Sequence, residues 1–419
     1  MSAEGRFPNT GTAEIPNEVR SGTFIGALIM ALASFFTLVD LFGPQAIVPV
    51  LTNAFATTPG RMGIVVNAAT LGMAVTGIAT ACVADRFERK WVMVAALSLL
   101  AFPTMLVAFV DNLYMFAALR IAQGSFMCVG FMVAIAYIAE EWGPCGAAPV
   151  VMSAYVTGNV AANMLGRMIA GAVAQCASWH VAFLAMAALN LSGAVLLCAV
   201  LPRSRHFGRV ASKSTIINSM QLQLADPRLN AACLVGFLIL FGFIGTFTYV
   251  NFRLSRPPFD LSPTALGLLY AVFAVSLVAT PAAGLTTRRF GHRVALLAGS
   301  GISVVGVLMT LSDALAIVMI GLALVGGGTF FCQAVATGFT GHIANHAKGA
   351  ASGLYLTAYY TGGIVGALFL AAVYGFWGWS GCVVLIAASF ALMGTVAGFF
   401  WSLPALPTVV EPEVSEACP

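Results

Sequence analysis

Long apolar segments with almost no charge recur along the whole chain, and this pattern excludes a water-soluble fold. Crossing a hydrocarbon core takes about 20 helical residues. Cutting the sequence at its charged or Pro/Gly-rich breaks leaves twelve segments near or above that length: 22–49, 62–84, 91–110, 113–139, 148–175, 179–201, 229–251, 264–286, 294–312, 314–341, 349–374 and 379–403. Hydrophobic residues make up 60% of the 419 and charged ones only 8%, where soluble domains run near a quarter charged. Glycine, at 43 residues, suits helices that pack closely in lipid. The expectation is an all-α membrane protein of twelve transmembrane helices. The first apolar run lacks a convincing cleavage site and is read as a retained first helix rather than a signal peptide.

Charge placement orients the chain. With both termini in the cytoplasm, the inner segments hold Arg6, Arg20, Arg86, Arg89, Lys90, Arg203, Arg205, Arg209, Lys213, Arg228, Arg288, Arg289, Arg293 and Lys348. The outer loops hold only Arg61, Arg253 and Arg256. That is a strong positive-inside bias, and an odd number of crossings would spoil it. The net charge of +4 then reflects topology and anionic lipid, not nucleic-acid binding. The nine cysteines are scattered singly without a CxxC pair or Cys/His cluster, so neither disulfides nor a metal site are expected.

An internal repeat divides the chain in two. At an offset of 200, Tyr155 aligns with Tyr355, Thr157 with Thr357, Gly166 with Gly366 and Trp179 with Trp379. Near the same offset, Asp85-Arg86-Phe87-Glu88-Arg89-Lys90 matches Arg288-Arg289-Phe290-Gly291-His292-Arg293. The expected organisation is a cytoplasmic tail (1–21), a six-helix bundle (22–201), a basic cytoplasmic linker (202–228) with a short interfacial helix at 212–224, a second six-helix bundle (229–403) and an acidic cytoplasmic tail (404–419). Two such halves joined by a linker are built to rock about a central site.

These residues resemble the major facilitator superfamily over nearly the whole chain. Its loop signature after the second helix survives as Asp85, Arg86, Arg89 and Lys90, with Ala81 and Glu88 replacing its two glycines. Its fourth-helix signature Arg-x-x-Gln-Gly is present as Arg120, Gln123 and Gly124. The fifth segment carries Gly158, Gly166-Arg167 and Gly171 where the antiporter motif has Gly-Pro. With Tyr137-Ile138-Ala139-Glu140-Glu141, Leu201-Pro202-Arg203 and Ser352-Gly353-Leu354-Tyr355, that variant is similar to the YnfM-like inner-membrane transporters, grouped with twelve-helix drug:proton antiporters. The resemblance implies a location in the cytoplasmic (inner) membrane. It also implies a cytoplasmic gate formed by Asp85, Arg86, Arg89 and Lys90 with Arg288, Arg289 and Arg293. It further implies that a first-helix acid couples protons with the fourth-helix arginine, here Asp40 and Arg120.

Charge inside a span is the strongest local signal, because each such group costs about 2.5–3.5 kcal/mol at the helix centre. Only Asp40, Arg120 and Arg167 fall well inside a segment. Counting back at 1.5 Å per residue puts Asp40 roughly 15 Å deep and the arginines roughly 10–12 Å, so all three can meet in the outer half of the first bundle. Pro44 removes the helical donor to the Asp40 carbonyl. If the partners of Asp40 change between two conformations, a proton binds in one and leaves in the other. A static strut joining the first and fourth helices is the competing reading. Tyr155, Asn159, Asn163 and Arg167 recur every fourth residue, a polar stripe that either walls a cavity or bonds between helices. Gln123, Tyr249, Asn251, Tyr270, Gln333, Tyr355 and Tyr359 are further cavity candidates; Phe35, Phe36, Phe241, Phe243, Phe330 and Phe331 read as packing or lipid-facing residues.

Neither a nucleophile–base pair nor a P-loop is present, so enzymatic chemistry and direct ATP drive are not expected, nor is a cofactor. The favoured reading is a monomeric secondary transporter exporting a small organic molecule in exchange for protons. One acid against two arginines leaves the deep charge at +1, which favours uptake or exchange of a small organic anion as the alternative. A transport-inactive membrane scaffold or sensor on the same fold is the third.

Overall fold

The computed structural model describes residues 17–83, 87–142, 147–203, 226–343 and 348–402, and these are helical nearly throughout. Helices begin where capping residues stand. Ser178, Asp226 and Ser262 each accept a backbone N–H from the first turn of the helix that follows, and Pro227 and Pro263 occupy first positions that need no donor. In chain order the helices are α1 (Asn17–Ala46), α2 (Val48–Ala54), α3 (Pro59–Val83), α4 (Arg89–Val107), α5 (Leu113–Trp142), α6 (Ala148–Cys176), α7 (Trp179–Val200), α8 (Pro227–Leu254), α9 (Pro263–Leu269), α10 (Ala274–Met309), α11 (Leu315–Ile343) and α12 (Lys348–Phe400), with a 3-10 turn at Tyr270–Phe273. These labels number helices, not membrane crossings.

Among the described residues, eight stretches are long and apolar enough to cross a membrane. Two of them, Pro263–Met309 and Ala351–Phe400, run to 47 and 50 residues, or more than ~70 Å of helix against a core of ~30 Å. Each contains one glycine that leaves helical geometry, Gly291 at φ 81 and ψ 161 and Gly378 at φ 62 and ψ −153. Both angles lie where only glycine is unstrained. The segment expected to end at 49 instead breaks at Ile47 and restarts as α2, with Pro49 in its first turn. The expected interfacial helix at 212–224 and both tails lie outside the described residues, apart from the last residues of the first tail.

Small residues set the packing. A Cβ on Gly158 would run into the Ala31 carbonyl, and Gly166 lies on the Val39 backbone, so α6 presses against α1. The second half repeats this: Gly362 and Gly366 of α12 lie against the Phe237 and Phe241 carbonyls of α8. In the same way Gly72 and Gly124 bring α3 onto α5, and Gly306 and Gly321 bring α10 onto α11. Without a hydrophobic drive between helices in lipid, such close backbone approach supplies the dispersion contact that holds them. Outward faces carry Phe24, Phe102, Phe109, Phe369, Phe376 and Phe399, all exposed as lipid contact requires.

A direct expectation follows. Gly158→Val will lower the thermal midpoint and the monodisperse fraction of detergent-purified protein, since overpacking a tight contact costs about 1–3 kcal/mol. Gly284→Ala meets nothing within 4 Å and will behave as the parent protein. Fluorescence-detected size-exclusion after a heat series reads both.

Candidate functional site

The three span-embedded charges are all fully buried, at 0% exposure. Asp40 of α1 accepts from Thr104 Oγ1 of α4 at 2.8 Å and from Asn190 Nδ2 of α7 at 2.5 Å, both on Oδ2. Oδ1 is buried without a hydrogen-bond partner. Among the described residues no Lys or Arg nitrogen comes within 4.0 Å of the carboxylate.

Arg120 does reach Asp40, but at the backbone: Nη1 donates to the Asp40 carbonyl at 2.8 Å. That carbonyl lacks a helical donor because residue 44 is proline. The guanidinium also donates to the Val66 carbonyl and to Gln123 Oε1, while Nη2 has no hydrogen-bond partner. Gln123 Nε2 in turn donates to Thr104 Oγ1 at 2.8 Å. A polar chain thus runs from Arg120 through Gln123 and Thr104 to the carboxylate. Thr104 has one proton to give and two acceptors in range, Asp40 Oδ2 and the Leu100 carbonyl, each at 2.8 Å.

Arg167 belongs to a second cluster, where the two halves meet. Its guanidinium donates to Gln45 Oε1 of α1 and to Asn163 Oδ1 one turn back on α6. Around it stand the rings of Tyr270 at 4.2 Å, Phe273 at 5.1 Å, Phe42 at 5.3 Å, Phe247 at 5.5 Å and Phe243 at 5.8 Å. Four of these five rings come from the second half. Gln45 Nε2 donates to Asn67 Oδ1 of α3, and Asn67 Nδ2 donates across to Thr248 Oγ1 of α8. The Gln45 carbonyl, deprived of a helical donor by Pro49, accepts from Asn251 Nδ2 of α8 at 2.8 Å. Tyr270 OH lies 2.9 Å from Asn251 Oδ1. Gly171 on the Pro263 carbonyl and Gly60 on the Ala371 carbonyl complete the contact. At the end of the bundle where α1 and α8 terminate, the halves are therefore closed onto each other.

Below that seam lies a cavity between the halves, lined by Phe42, Asn159, Asn163, Ile239, Phe243, Thr329, Phe330, Gln333 and Tyr359. At about 20 Å³ it holds roughly one water, so the described conformation leaves little room at the site. Of the sequence candidates, Asn159, Asn163, Gln333 and Tyr359 line this space, and Arg167 borders it through Asn163, Phe42 and Phe243.

Other candidates do not line it. Gln123 is committed to Arg120 and Thr104, as described. Tyr155 donates to the Phe131 carbonyl, and Tyr249 donates to the Ala367 carbonyl while packing on Gly63. Tyr355 lies under Gly236 and stacks with Tyr359 at 6.2 Å. Phe243 and Phe330, read as packing residues, instead face the cavity. Thr104, Asn190, Gln45 and Asn67 are not singled out by the sequence; each is one of several neutral polar residues in an apolar span.

Of the expected cytoplasmic gate, Asp85 and Arg86 lie outside the described residues. Arg89, 4% exposed, is turned into its own bundle, where Nε and Nη2 grip the Glu140 carboxylate of α5, the shortest contact being 2.7 Å. Lys90 sits over the Trp91 ring. Arg288, Arg289 and Arg293 are exposed on either side of Gly291.

Comparison with known proteins adds the family. The sequence model described as Major Facilitator Superfamily matches residues 30–256 and again 233–417. The inner membrane transport protein YnfM of Escherichia coli (strain K12) is 30% identical over 371 residues, which is 88% of each chain. An uncharacterized MFS-type transporter of Bacillus subtilis (strain 168), YybF, is 29% identical over 84% of this chain and 88% of its own. Among solved structures, the nucleoside transporter NupG superposes with a TM-score of 0.72 at 11% identity, covering 91% of this chain and all of that one. A D-xylose–proton symporter gives 0.71 at 16% identity, with 92% and 98% covered. These last two establish the shared fold alone.

Proposed function

The chain belongs to the major facilitator superfamily, and on that premise we propose that it is a twelve-crossing secondary transporter that exports a small organic solute in exchange for protons by alternating access. Dividing the two overlong helices at Gly291 and Gly378, and counting α3 and α6, brings the spans to twelve. The repeated glycine contacts of α6 on α1 and α12 on α8 support two related six-helix bundles. The positive-inside bias supports cytoplasmic termini, and on that reading the seam at Arg167 faces outward and the described conformation is closed on that side.

The observation that carries proton coupling is the setting of Asp40. A carboxyl fully buried, with one oxygen unpartnered and no cation in ion-pair range among the described residues, is stable there in its neutral form; as an anion it requires a partner. That partner is at hand, because the unpartnered Nη2 of Arg120 belongs to the group that holds the Asp40 carbonyl. A rearrangement that turns Nη2 to the carboxylate favours the ionised form, and its reversal favours the neutral one. Two conformations with different partners for one acid are the minimum machinery for coupling.

The reading is tested with purified protein in liposomes carrying a trapped pH indicator, challenged with lipophilic cations, amino acids and organic anions. Solute-driven proton movement opposite to solute flux is the expected result. Proton movement with the solute would replace export by symport. Solute exchange without proton movement would favour the organic-anion reading, which the buried Arg167 supports. Silence throughout would leave the scaffold.

A further inference from the structure

The mechanism above uses Asp40 and Arg120 and leaves Arg167 without a task. Its environment is unusual for a buried cation. Every hydrogen-bond acceptor it has is neutral: Gln45 Oε1, Asn163 Oδ1 and the Asn163 carbonyl. No carboxylate lies within 4.0 Å of it among the described residues. A buried guanidinium normally has an anion, because removing one charge from water without a counter-charge is costly. The five surrounding rings offset part of that cost, but a ring is a weak substitute for a carboxylate. Two donors at this point are also unused. Arg167 Nε and Asn163 Nδ2 are buried without hydrogen-bond partners, and Asn163, at 0% exposure, lines the central cavity.

Resting on the transporter reading, we propose that Arg167 and Asn163 bind the carboxylate of a small organic monoanion. Its apolar body lies between Phe243, Phe330 and Tyr359 once the halves part, since the described cavity of about 20 Å³ admits only a water, and the aromatic cage is what Arg167 holds in the anion's absence. The class follows from the chemistry present. One guanidinium with an amide N–H beside it matches the two oxygens of a planar carboxylate. A single buried positive charge balances a monoanion and leaves a dianion one charge in excess. A cationic solute would meet Arg167 as a like charge. The rings of Phe42, Phe243 and Phe330 offer contacts to an aromatic or branched apolar body, beside the polar groups of Asn159, Thr329, Gln333 and Tyr359.

The cage also gives the anion a way to act. Tyr270 and Phe273 stand just before α10, and Phe243 and Phe247 on α8, so their grip on Arg167 holds the outer seam shut. An anion that takes the guanidinium competes with that grip and stabilises the conformation in which the seam is parted.

The test is equilibrium binding of radiolabelled benzoate to purified full-length protein in nanodiscs, with benzyl alcohol and benzyltrimethylammonium as competitors. Benzoate is expected to bind and neither competitor to displace it. Arg167→Gln is expected to weaken benzoate by at least about tenfold. Tyr270→Leu, which removes the nearest ring, is expected to tighten it. That opposite sign keeps the proposal open to refutation even if Arg167→Gln fails to fold. Absence of benzoate binding at millimolar concentration, unchanged affinity in Arg167→Gln, weaker binding in Tyr270→Leu, or displacement by the quaternary amine would each overturn it. Benzoate binding with no solute flux in liposomes would sink the transporter reading and leave this site standing.

Discussion

Asp40→Asn will leave solute counterflow running while abolishing uphill transport driven by a proton gradient. The carboxamide is nearly isosteric with a neutral carboxyl. Its oxygen can occupy the Oδ2 position and keep both bonds, from Thr104 at 2.8 Å and Asn190 at 2.5 Å. Its NH2 replaces Oδ1, the oxygen that has no partner to lose. The variant is therefore held in the proton-loaded form with both bonds kept, and its thermal midpoint should fall only slightly, since the NH2 is a buried donor without an acceptor. Two liposome assays read the outcome: exchange of labelled against unlabelled solute at equal pH, and accumulation under an imposed gradient. The first should remain within about twofold and the second fall to that of empty liposomes, as expected when a proton-transfer group is removed. A strut behaves otherwise. If Asp40 only ties α1 to α4 and α7, accumulation and exchange will change together, or neither will change. Thr104→Val, which removes one donor but keeps the carboxyl, should slow both assays without uncoupling them.

The legible part of this molecule was what the bilayer itself forbids or requires. Apolar length marked the helices, because twenty residues are needed to cross, and charge depth marked Asp40, Arg120 and Arg167, because each is too costly in lipid to be incidental. The fourfold stripe on α6 was legible for the same reason, and it did deliver Asn159 and Asn163 to the cavity. Proline supplied another clue, since a missing N–H at Pro44 marks the Asp40 carbonyl as orphaned. What it could not show was the partner, because that depends on how α5 is rotated about its axis and how deep it sits. The aromatics illustrate the limit more sharply. Phe243, Phe247 and Phe273 are chemically indistinguishable from the chain's other phenylalanines, and only the close approach of α6 to α9 at Gly171 and Gly267 brings them around Arg167. Neutral polar residues suffer the same degeneracy. Thr104 also reaches the Leu100 carbonyl of its own helix, and its convergence with Asn190 on Asp40 is a property of three helices together.

The proline argument yields a sharper test of how the fourth-helix arginine acts. Arg120→Leu removes the donor to the Asp40 carbonyl, which residue 44 cannot replace, and the buried acceptor is left bare at a cost of about 1–3 kcal/mol. The variant should lose thermal stability and transport together. Pro44→Ala restores an N–H four residues after Asp40, where an α-helix would place the missing bond. In the Arg120→Leu background it should therefore recover part of the lost stability. In the parent protein it adds a second donor to a carbonyl already served, so it should be close to neutral. The double-mutant cycle isolates the carbonyl's share, about 1–3 kcal/mol of favourable coupling, from the other bonds of Arg120 to Val66 and Gln123. Additivity within about 0.5 kcal/mol would show that the carbonyl bond contributes little and that Arg120 stabilises the bundle through its other contacts. Transport in the rescued variant then separates stability from mechanism. Recovery of stability without recovery of proton-driven flux is expected, because alanine at 44 closes the carbonyl but supplies no cation for the ionised Asp40. Full recovery of coupled flux would remove Arg120 from the proton cycle and leave Asp40 to work with another partner.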